Sequence, residues 1–172
     1  MFDTDIKFTG SQANILKKYS KTKQSENTIS FILKNVNNNN IDTFIFDTSM
    51  DCYMIAAMIG IINNKRSKKS GEGSVTIFHE KISKCKVELN TISRFANFIN
   101  NENITVEENI KKSFTATKSD DKEAEVLIDE YVRGGLDVID NYFKECQTVE
   151  DFCSALYLFK EDYFMIEINK EV

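Results

Sequence analysis

The segment Met50–Ile62 constrains the fold of this chain more than any other stretch. Asp51 is its only charged residue, so a helix built from it would be apolar on every side. Such a helix lies either inside a protein or across a membrane. The apolar run is shorter than the roughly 20 residues that cross a bilayer, and it ends abruptly at Asn63. We therefore expect a buried central helix at about 49–63.

The rest of the composition favours helices. The chain has 172 residues and no proline, a residue that β-rich folds use at turns and edges but that helix interiors exclude. This length fits one domain, 1–172, with a core that needs no disulfide or metal. We predict a single compact all-α bundle of six or seven helices around the central helix. A short extended segment is expected at the C-terminus.

Further helices are indicated by apolar residues at spacings of three and four. Thr105 and Glu108 form a predicted capping box, and Thr148 and Asp151 repeat the pattern. In the helix that follows Thr105, an apolar stripe is expected to be the buried side; it comprises Val106, Ile110 and Phe114. The predicted helices are Gln12–Tyr19, Phe78–Ile99, one from Val106, one from Asp120 or Asp121 to about Cys146, and one from Val149.

The segment 28–46 is ambiguous. Its apolar residues between Ile29 and Val36 satisfy both the period of a strand and that of a helix. We favour a helix, because a capping residue precedes the segment and no partner strand is obvious. The alternative is a hairpin in which Ile41–Phe46 pairs back across the asparagine run 37–40.

Gly134-Gly135 lies in the middle of the longest predicted helix. Each glycine costs about 1 kcal/mol there relative to alanine, so the pair needs a structural reason. Close packing against Ala56, Ala57 and Gly60 of the central helix is the preferred explanation, and a hinge is the alternative.

No catalytic constellation is recognisable. The single histidine, His79, begins a predicted helix, and carboxylate pairs such as Asp137 and Asp140 are expected on a solvated acidic face. Di-iron bundles need a Glu-x-x-His motif on two helices, which one histidine cannot supply. We predict a non-enzymatic protein with no cofactor or metal.

The cysteines lack zinc-site spacing and are expected to be small buried residues in a reducing compartment: Cys52, Cys85, Cys146 and Cys153.

Two segments are candidates for binding. A basic loop is predicted to contact phosphates of nucleic acid through Lys65, Arg66, Lys68 and Lys69. The apolar tail is predicted to be a partner interface; its residues are Tyr163, Phe164, Met165 and Ile166. Charge is polarised as well, since residues 1–100 carry an excess of Lys and Arg and residues 101–172 a larger excess of Asp and Glu. Such a chain can attract a charged partner or associate with itself.

The stretch Asp51–Gly60 followed by Lys65-Arg66 resembles segments of small helical proteins from prokaryotic DNA-processing and phage-defence gene clusters. The first function hypothesis is a non-enzymatic interaction module, a small subunit or adaptor of a larger prokaryotic assembly with a protein partner or a second copy of itself. The alternative is a nucleic-acid-associated protein, in phage defence, that uses the basic loop 64–70. Since Met1–Asp5 has no leader pattern, we expect a cytoplasmic protein without membrane contact.

Overall fold

The computed structural model describes residues 2–21, 31–34, 37, 39–101, 104–114 and 120–164. These residues form a mainly helical fold with two small sheets, so the all-α prediction is correct for most of the described chain and wrong for the strands. The elements are β1 (Ile6–Thr9), α1 (Gln12–Tyr19), β2 (Phe31–Lys34), β3 (Asn40–Thr43), α2 (Ser49–Ile62), β4 (Ser74–Ile77), α3 (His79–Lys84), α4 (Lys86–Asn100), α5 (Val106–Phe114), α6 (Asp120–Phe143) and α7 (Val149–Phe164).

The helix predicted at about 49–63 is confirmed as α2. Thr48 is its N-cap, because the Thr48 hydroxyl accepts a hydrogen bond from the backbone N–H of Asp51 at 3.1 Å. Half of its 14 residues are buried, and Met58 and Ile62 on its outer side are exposed. The helix is therefore partly enclosed, and not buried on every side as the sequence predicts.

The backbones of α2 and α6 touch directly. A Cβ atom on Gly135 would overlap the carbonyl oxygen of Ala56, and a Cβ on Gly60 would overlap that of Tyr131. The helix α6 continues through Gly134 without interruption. The glycines therefore allow close packing, as preferred from the sequence.

The first sheet pairs β1 with β4 in antiparallel register, with Ile6 opposite Ile77 and Phe8 opposite Val75. Phe8, Val75 and Ile77 are buried in the core that α2 and α6 share. Neither strand was predicted. Each has four residues, too few to establish a period of two, and its partner lies far away in the sequence.

The second sheet is a hairpin of β2 and β3, so the predicted helix within 28–46 is wrong for the residues described there. Leu33 is buried while Ile32 is exposed, which is the alternation of a strand; a helix would have placed both on one side. The backbone N–H of Lys34 also donates to the carbonyl of Gln147 at 2.9 Å. This distant hydrogen bond has no local sequence signal.

The predicted helix Phe78–Ile99 is divided in two at Cys85. Phe78 precedes the first part and is 58% exposed instead of joining the buried stripe. The Asp5 carboxylate accepts from the backbone N–H of His79 at 2.7 Å, which helps to start α3 beside β1. The break at Cys85 therefore separates α3, which starts beside β1, from α4, which packs against α6.

The two predicted cap patterns are confirmed. At α5, the Glu108 N–H donates to the Thr105 hydroxyl at 3.3 Å and the Thr105 N–H donates to the Glu108 carboxylate at 3.3 Å. At α7, the same reciprocal bonds join Thr148 and Asp151 at 3.1 and 3.0 Å. Both helices thus begin where the sequence places them.

The C-terminal helix is longer than expected. Tyr163 and Phe164, predicted to begin an extended tail, are the last residues of α7, and residues 165–172 lie outside the described chain. Among the described residues, every helix is too short or too polar to cross a bilayer.

Candidate functional site

The basic loop between α2 and β4 has a fixed backbone. The N–H of Lys65 donates to the Gly60 carbonyl at 2.8 Å, and the N–H of Ser67 donates to the Glu130 carbonyl at 3.0 Å. The Lys65 carbonyl itself rests where a Cβ of Gly134 would be. The loop is therefore attached along α6.

Its four predicted cations are not equivalent. Arg66 donates to the Asn100 side-chain oxygen at 2.8 Å and lies 3.8 Å from the Glu130 carboxylate. Lys65 is half-buried. Lys68 and Lys69 are exposed and form no ion pair within the described chain. The structure therefore leaves Lys68 and Lys69 as the cations best placed for an external anion.

The predicted interface residues at the C-terminus also separate. The ring of Tyr163 packs 5.4 Å from that of Phe159, and its hydroxyl accepts from the Asn63 amide at 3.1 Å. Phe164 is 50% exposed. Met165 and Ile166 lie outside the described residues. Tyr163 thus joins α7 to the end of α2, while the half-exposed Phe164 packs its ring edge-on against that of Phe159 at 5.9 Å.

A polar cluster in which burial raises two pKa values lies between β1, α2 and α6. The Tyr53 hydroxyl donates to Asp129 at 2.6 Å, and the Arg133 guanidinium lies 3.9 Å from the same carboxylate. Arg133 also donates to the Thr9 carbonyl and stacks over the Phe8 ring at 4.2 Å. These contacts join the sheet to both central helices.

Burial raises the pKa values of two groups in this cluster. Burial raises the pKa of Asp129, although the Tyr53 hydrogen bond and the charge of Arg133 oppose the shift. Burial and the neighbouring carboxylate raise the pKa of Tyr53 well above its ordinary value, so its hydroxyl is a neutral donor. Every polar group of the cluster is bonded to another part of the fold.

A cleft of about 400 Å³ opens beside this cluster. Its charged residues have both signs, and several already have partners: Glu125 accepts from the backbone N–H of Phe2 at 3.3 Å, and Asp5 caps α3. The lining consists of Phe2, Thr4, Asp5, Ile6, Lys7, Tyr53, Lys122, Glu125, Val126 and Asp129. The cleft is a mixed-charge surface depression with no single electrostatic preference.

The carboxylates expected on a solvated face of α6 instead bind other elements. Asp137 accepts from the Ser67 hydroxyl at 2.8 Å and from the Gln12 amide at 3.2 Å. Asp140 accepts from the Tyr19 hydroxyl at 2.7 Å. This part of the acidic α6 thus holds α1 and the basic loop in place.

His79 is exposed at the start of α3, as expected. The four cysteines are free thiols, and Cys52 is buried as predicted, but Cys153 is exposed. No group of three potential metal-binding side chains occurs in the part of the chain that the structure describes.

The helix α5 turns the opposite side to the core from the one that the sequence predicts. Val106, Ile110 and Phe114, expected to be buried, are 69%, 49% and 42% exposed. The polar residues Asn109 and Ser113 are buried in their place. The amphipathic pattern of α5 is therefore inverted with respect to the fold.

Hydrogen bonds explain the inversion. The Asn109 amide donates to the carbonyls of Phe98 and Asn101 at 2.7 and 3.3 Å, and the Ser113 hydroxyl donates to Asn109 at 3.1 Å. The last carbonyls of a helix lack intrahelical partners, and α4 ends at Asn100. Asn109 supplies those partners, which requires that side of α5 to face α4.

The exposed side of α5 continues onto α4. Phe95 is 52% exposed, and its ring packs edge-on against that of Phe114 at 6.5 Å. Arg94 lies over the Phe114 ring at 6.0 Å. We call Phe95, Val106, Ile110 and Phe114 the α5 face. The α5 face was not predicted, because the sequence pattern assigned its apolar stripe to the core. The signal for the opposite orientation was the i, i+4 pair of Asn109 and Ser113.

Comparison of the chain with protein-family models, curated proteins and solved structures finds no match.

Proposed function

We propose that the protein is a non-enzymatic interaction module, a subunit or adaptor of a larger assembly, and that the α5 face is its docking surface. The observation that carries the proposal is the inverted α5, which buries Asn109 and exposes Ile110. A surface helix ordinarily turns its apolar stripe toward the core. An apolar stripe turned outward is typical of helices that dock on a partner.

The hydrogen bonds of the polar clusters indicate that these side chains stabilise the fold. Tyr53, Asp129 and Arg133 bond to one another and to the backbone of β1. Asp137 and Asp140 hold α1. These groups therefore have roles in the fold that account for their positions.

The experiment is affinity capture of the tagged full-length chain from its source cells, compared with Ile110→Glu. A charge at the centre of the α5 face should remove a stoichiometric partner, because a buried unpaired carboxylate opposes docking. Val126→Glu is the matched control, since Val126 is 62% exposed on α6 and lies outside the face. Equal capture by both variants and by wild type would reject the α5 face as the docking surface.

A second candidate is nucleic-acid contact through the basic loop. The observation that favours it is the exposure of Lys68 and Lys69 on a backbone that is fixed to α6. Reversing both charges to glutamate should weaken binding to a DNA or RNA duplex and reduce its salt dependence. The same reversal at Lys81 and Lys84 of α3 is the control. Identical salt slopes for the two double variants would remove this candidate.

A further inference from the structure

We infer that the occupant of the α5 face is α5 of a second copy of this chain, packed antiparallel about a twofold axis near Ile110. This inference rests on the proposed function, because it names the partner of the same surface. A twofold interface must be self-complementary, so that each residue and its contact exchange roles between the two copies. The α5 face meets this condition in both size and charge.

Side-chain sizes along the stripe favour the antiparallel direction. Val106, Ile110 and Phe114 are spaced by four residues, about 6 Å per step along a helix. An antiparallel pair sets Ile110 against its own copy and each valine against a phenylalanine. A parallel pair would set two phenylalanines together at one end and two valines at the other, leaving the helices unevenly separated. The antiparallel pair keeps the separation uniform.

Charges at the two ends of the face have opposite signs. Glu107 is exposed beside Val106, and Arg94 lies over the ring of Phe114 at the other end. Neither side chain forms an ion pair within the described residues. The twofold axis brings Glu107 of each copy to the end of the face where Arg94 of the other copy lies. A parallel pair would instead place like charges together and align the two helix dipoles.

The exposed apolar area of the α5 face limits the size of the dimer interface. Four half-exposed apolar side chains provide roughly 400 Å² in each copy, which is within the range of functional surface patches. Two copies would bury about 800 Å² from these side chains plus a polar rim, at the low end of specific interfaces. We therefore expect a weak, reversible dimer with a Kd in roughly the micromolar range or above.

The test is sedimentation equilibrium of the purified full-length chain over a concentration range of about 1 to 500 micromolar, which spans the micromolar range. Wild type should shift from monomer to dimer, Ile110→Glu should remain monomeric, and Val126→Glu should dimerise like wild type. Glu107→Arg and Arg94→Glu should each weaken the dimer about tenfold, because each disrupts two symmetric charge pairs. The double variant Glu107→Arg/Arg94→Glu should return to within about threefold of wild type, since the pairs re-form with reversed signs.

Each contrary outcome is specific. Wild type that stays monomeric throughout rejects the second copy, and the docking face itself still stands if capture from source cells depends on Ile110. A dimer that Ile110→Glu leaves intact rejects the face as the dimer contact. Failure of the double variant to recover rejects the antiparallel register. Should Ile110→Glu lose its helical circular dichroism signal, the exposed charge variants at Arg94 and Glu107 decide the question.

Discussion

The α2–α6 contact and the α4–α5 contact solve the same packing problem in opposite ways. Where α2 meets α6, glycines let one backbone rest on the other. Where α5 meets α4, the Asn109 amide bonds to carbonyls at the end of α4. The first contact excludes side chains, and the second requires a polar one.

The two contacts differ in whether they leave apolar side chains exposed to solvent. Apolar residues of α6 such as Ile128 and Leu136 are fully buried, whereas Ile110 of α5 is 49% exposed. Packing density fixes the first contact, and satisfaction of helix-end carbonyls fixes the second. A helix held by its polar side can therefore present an apolar surface without losing its place in the fold.

The largest effect is expected from Gly135→Ala. Alanine is the better helix former by about 1 kcal/mol, but its Cβ would overlap the Ala56 carbonyl and force α2 and α6 apart. We expect a net loss of at least about 3 kcal/mol and a Tm lower by roughly 6–12 °C in calorimetry. Val126→Ala on the exposed side of α6 should change the Tm little. A Gly135→Ala protein as stable as wild type would contradict direct backbone contact.

Arg133→Met should have the next largest effect. It removes the hydrogen bond to the Thr9 carbonyl and leaves Asp129 without its cationic neighbour. Urea denaturation should show a loss of about 2–4 kcal/mol. Arg133→Lys should recover only part of it, because an ammonium cannot both stack over Phe8 and reach the carbonyl in the same way. Full recovery by lysine would show that charge alone matters.

Asn109→Ala tests the contact between α4 and α5. The substitution leaves the Phe98 and Asn101 carbonyls without their side-chain donor. A loss of about 1–2 kcal/mol is expected from urea denaturation. Asn109→Asp keeps the shape but removes the donor and should fail to restore stability. Wild-type stability in both variants would mean that apolar contacts, and not these bonds, orient α5.

A smaller effect is expected in the pH dependence of stability. The pKa of Asp129 is raised by burial, so the folded state holds its proton more tightly than the unfolded state does. Its contribution to stability is therefore fully present below the ordinary carboxyl pKa of 3.8 and is lost as pH rises through the raised folded value.

Asp129→Asn should remove that slope. The difference in unfolding free energy between wild type and this variant should fall as pH rises above about 4, measured by urea denaturation at each pH. Asp151, whose pKa is lowered by bonds to Thr148, has the opposite slope but is present in both proteins and cancels. A difference that rises with pH would show that Arg133 outweighs burial.

The smallest effect on stability is expected from Ile110→Ala. A buried isoleucine costs about 2–5 kcal/mol when truncated, but Ile110 is half exposed and should change the unfolding free energy by no more than about 0.5 kcal/mol. Ile128→Ala in α6 is the buried comparison. Equal losses at the two isoleucines would mean that the α5 face belongs to the core.

The α2–α6 contact was predictable because its signals are local. The apolar run of α2 and the Gly134-Gly135 pair of α6 each stand out within a few residues of sequence. Helix caps were predictable for the same reason, since Thr105 and Thr148 lie three residues from their partners.

The orientation of α5 and the two sheets depend on distant atoms. The helix α5 has an apolar stripe and a polar stripe, and only the unpaired carbonyls of α4 decide which one turns inward. The strand β2 is likewise bonded to Gln147, far along the chain. Neither the α5 face nor the hairpin could be assigned from periodicity, because the deciding partner lies outside the window in which a period is visible.

The pairing of β1 with β4 has a consequence for synthesis of the chain. β1 is synthesised well before its antiparallel partner Ser74–Ile77 and before residue 133 in α6, the arginine that bonds Thr9. Chains are translated at about 5–20 residues per second, so β1 waits several seconds for α6. A nascent chain stalled before α6 should therefore expose Phe8 to chaperones, although the same residue is fully buried in the finished protein.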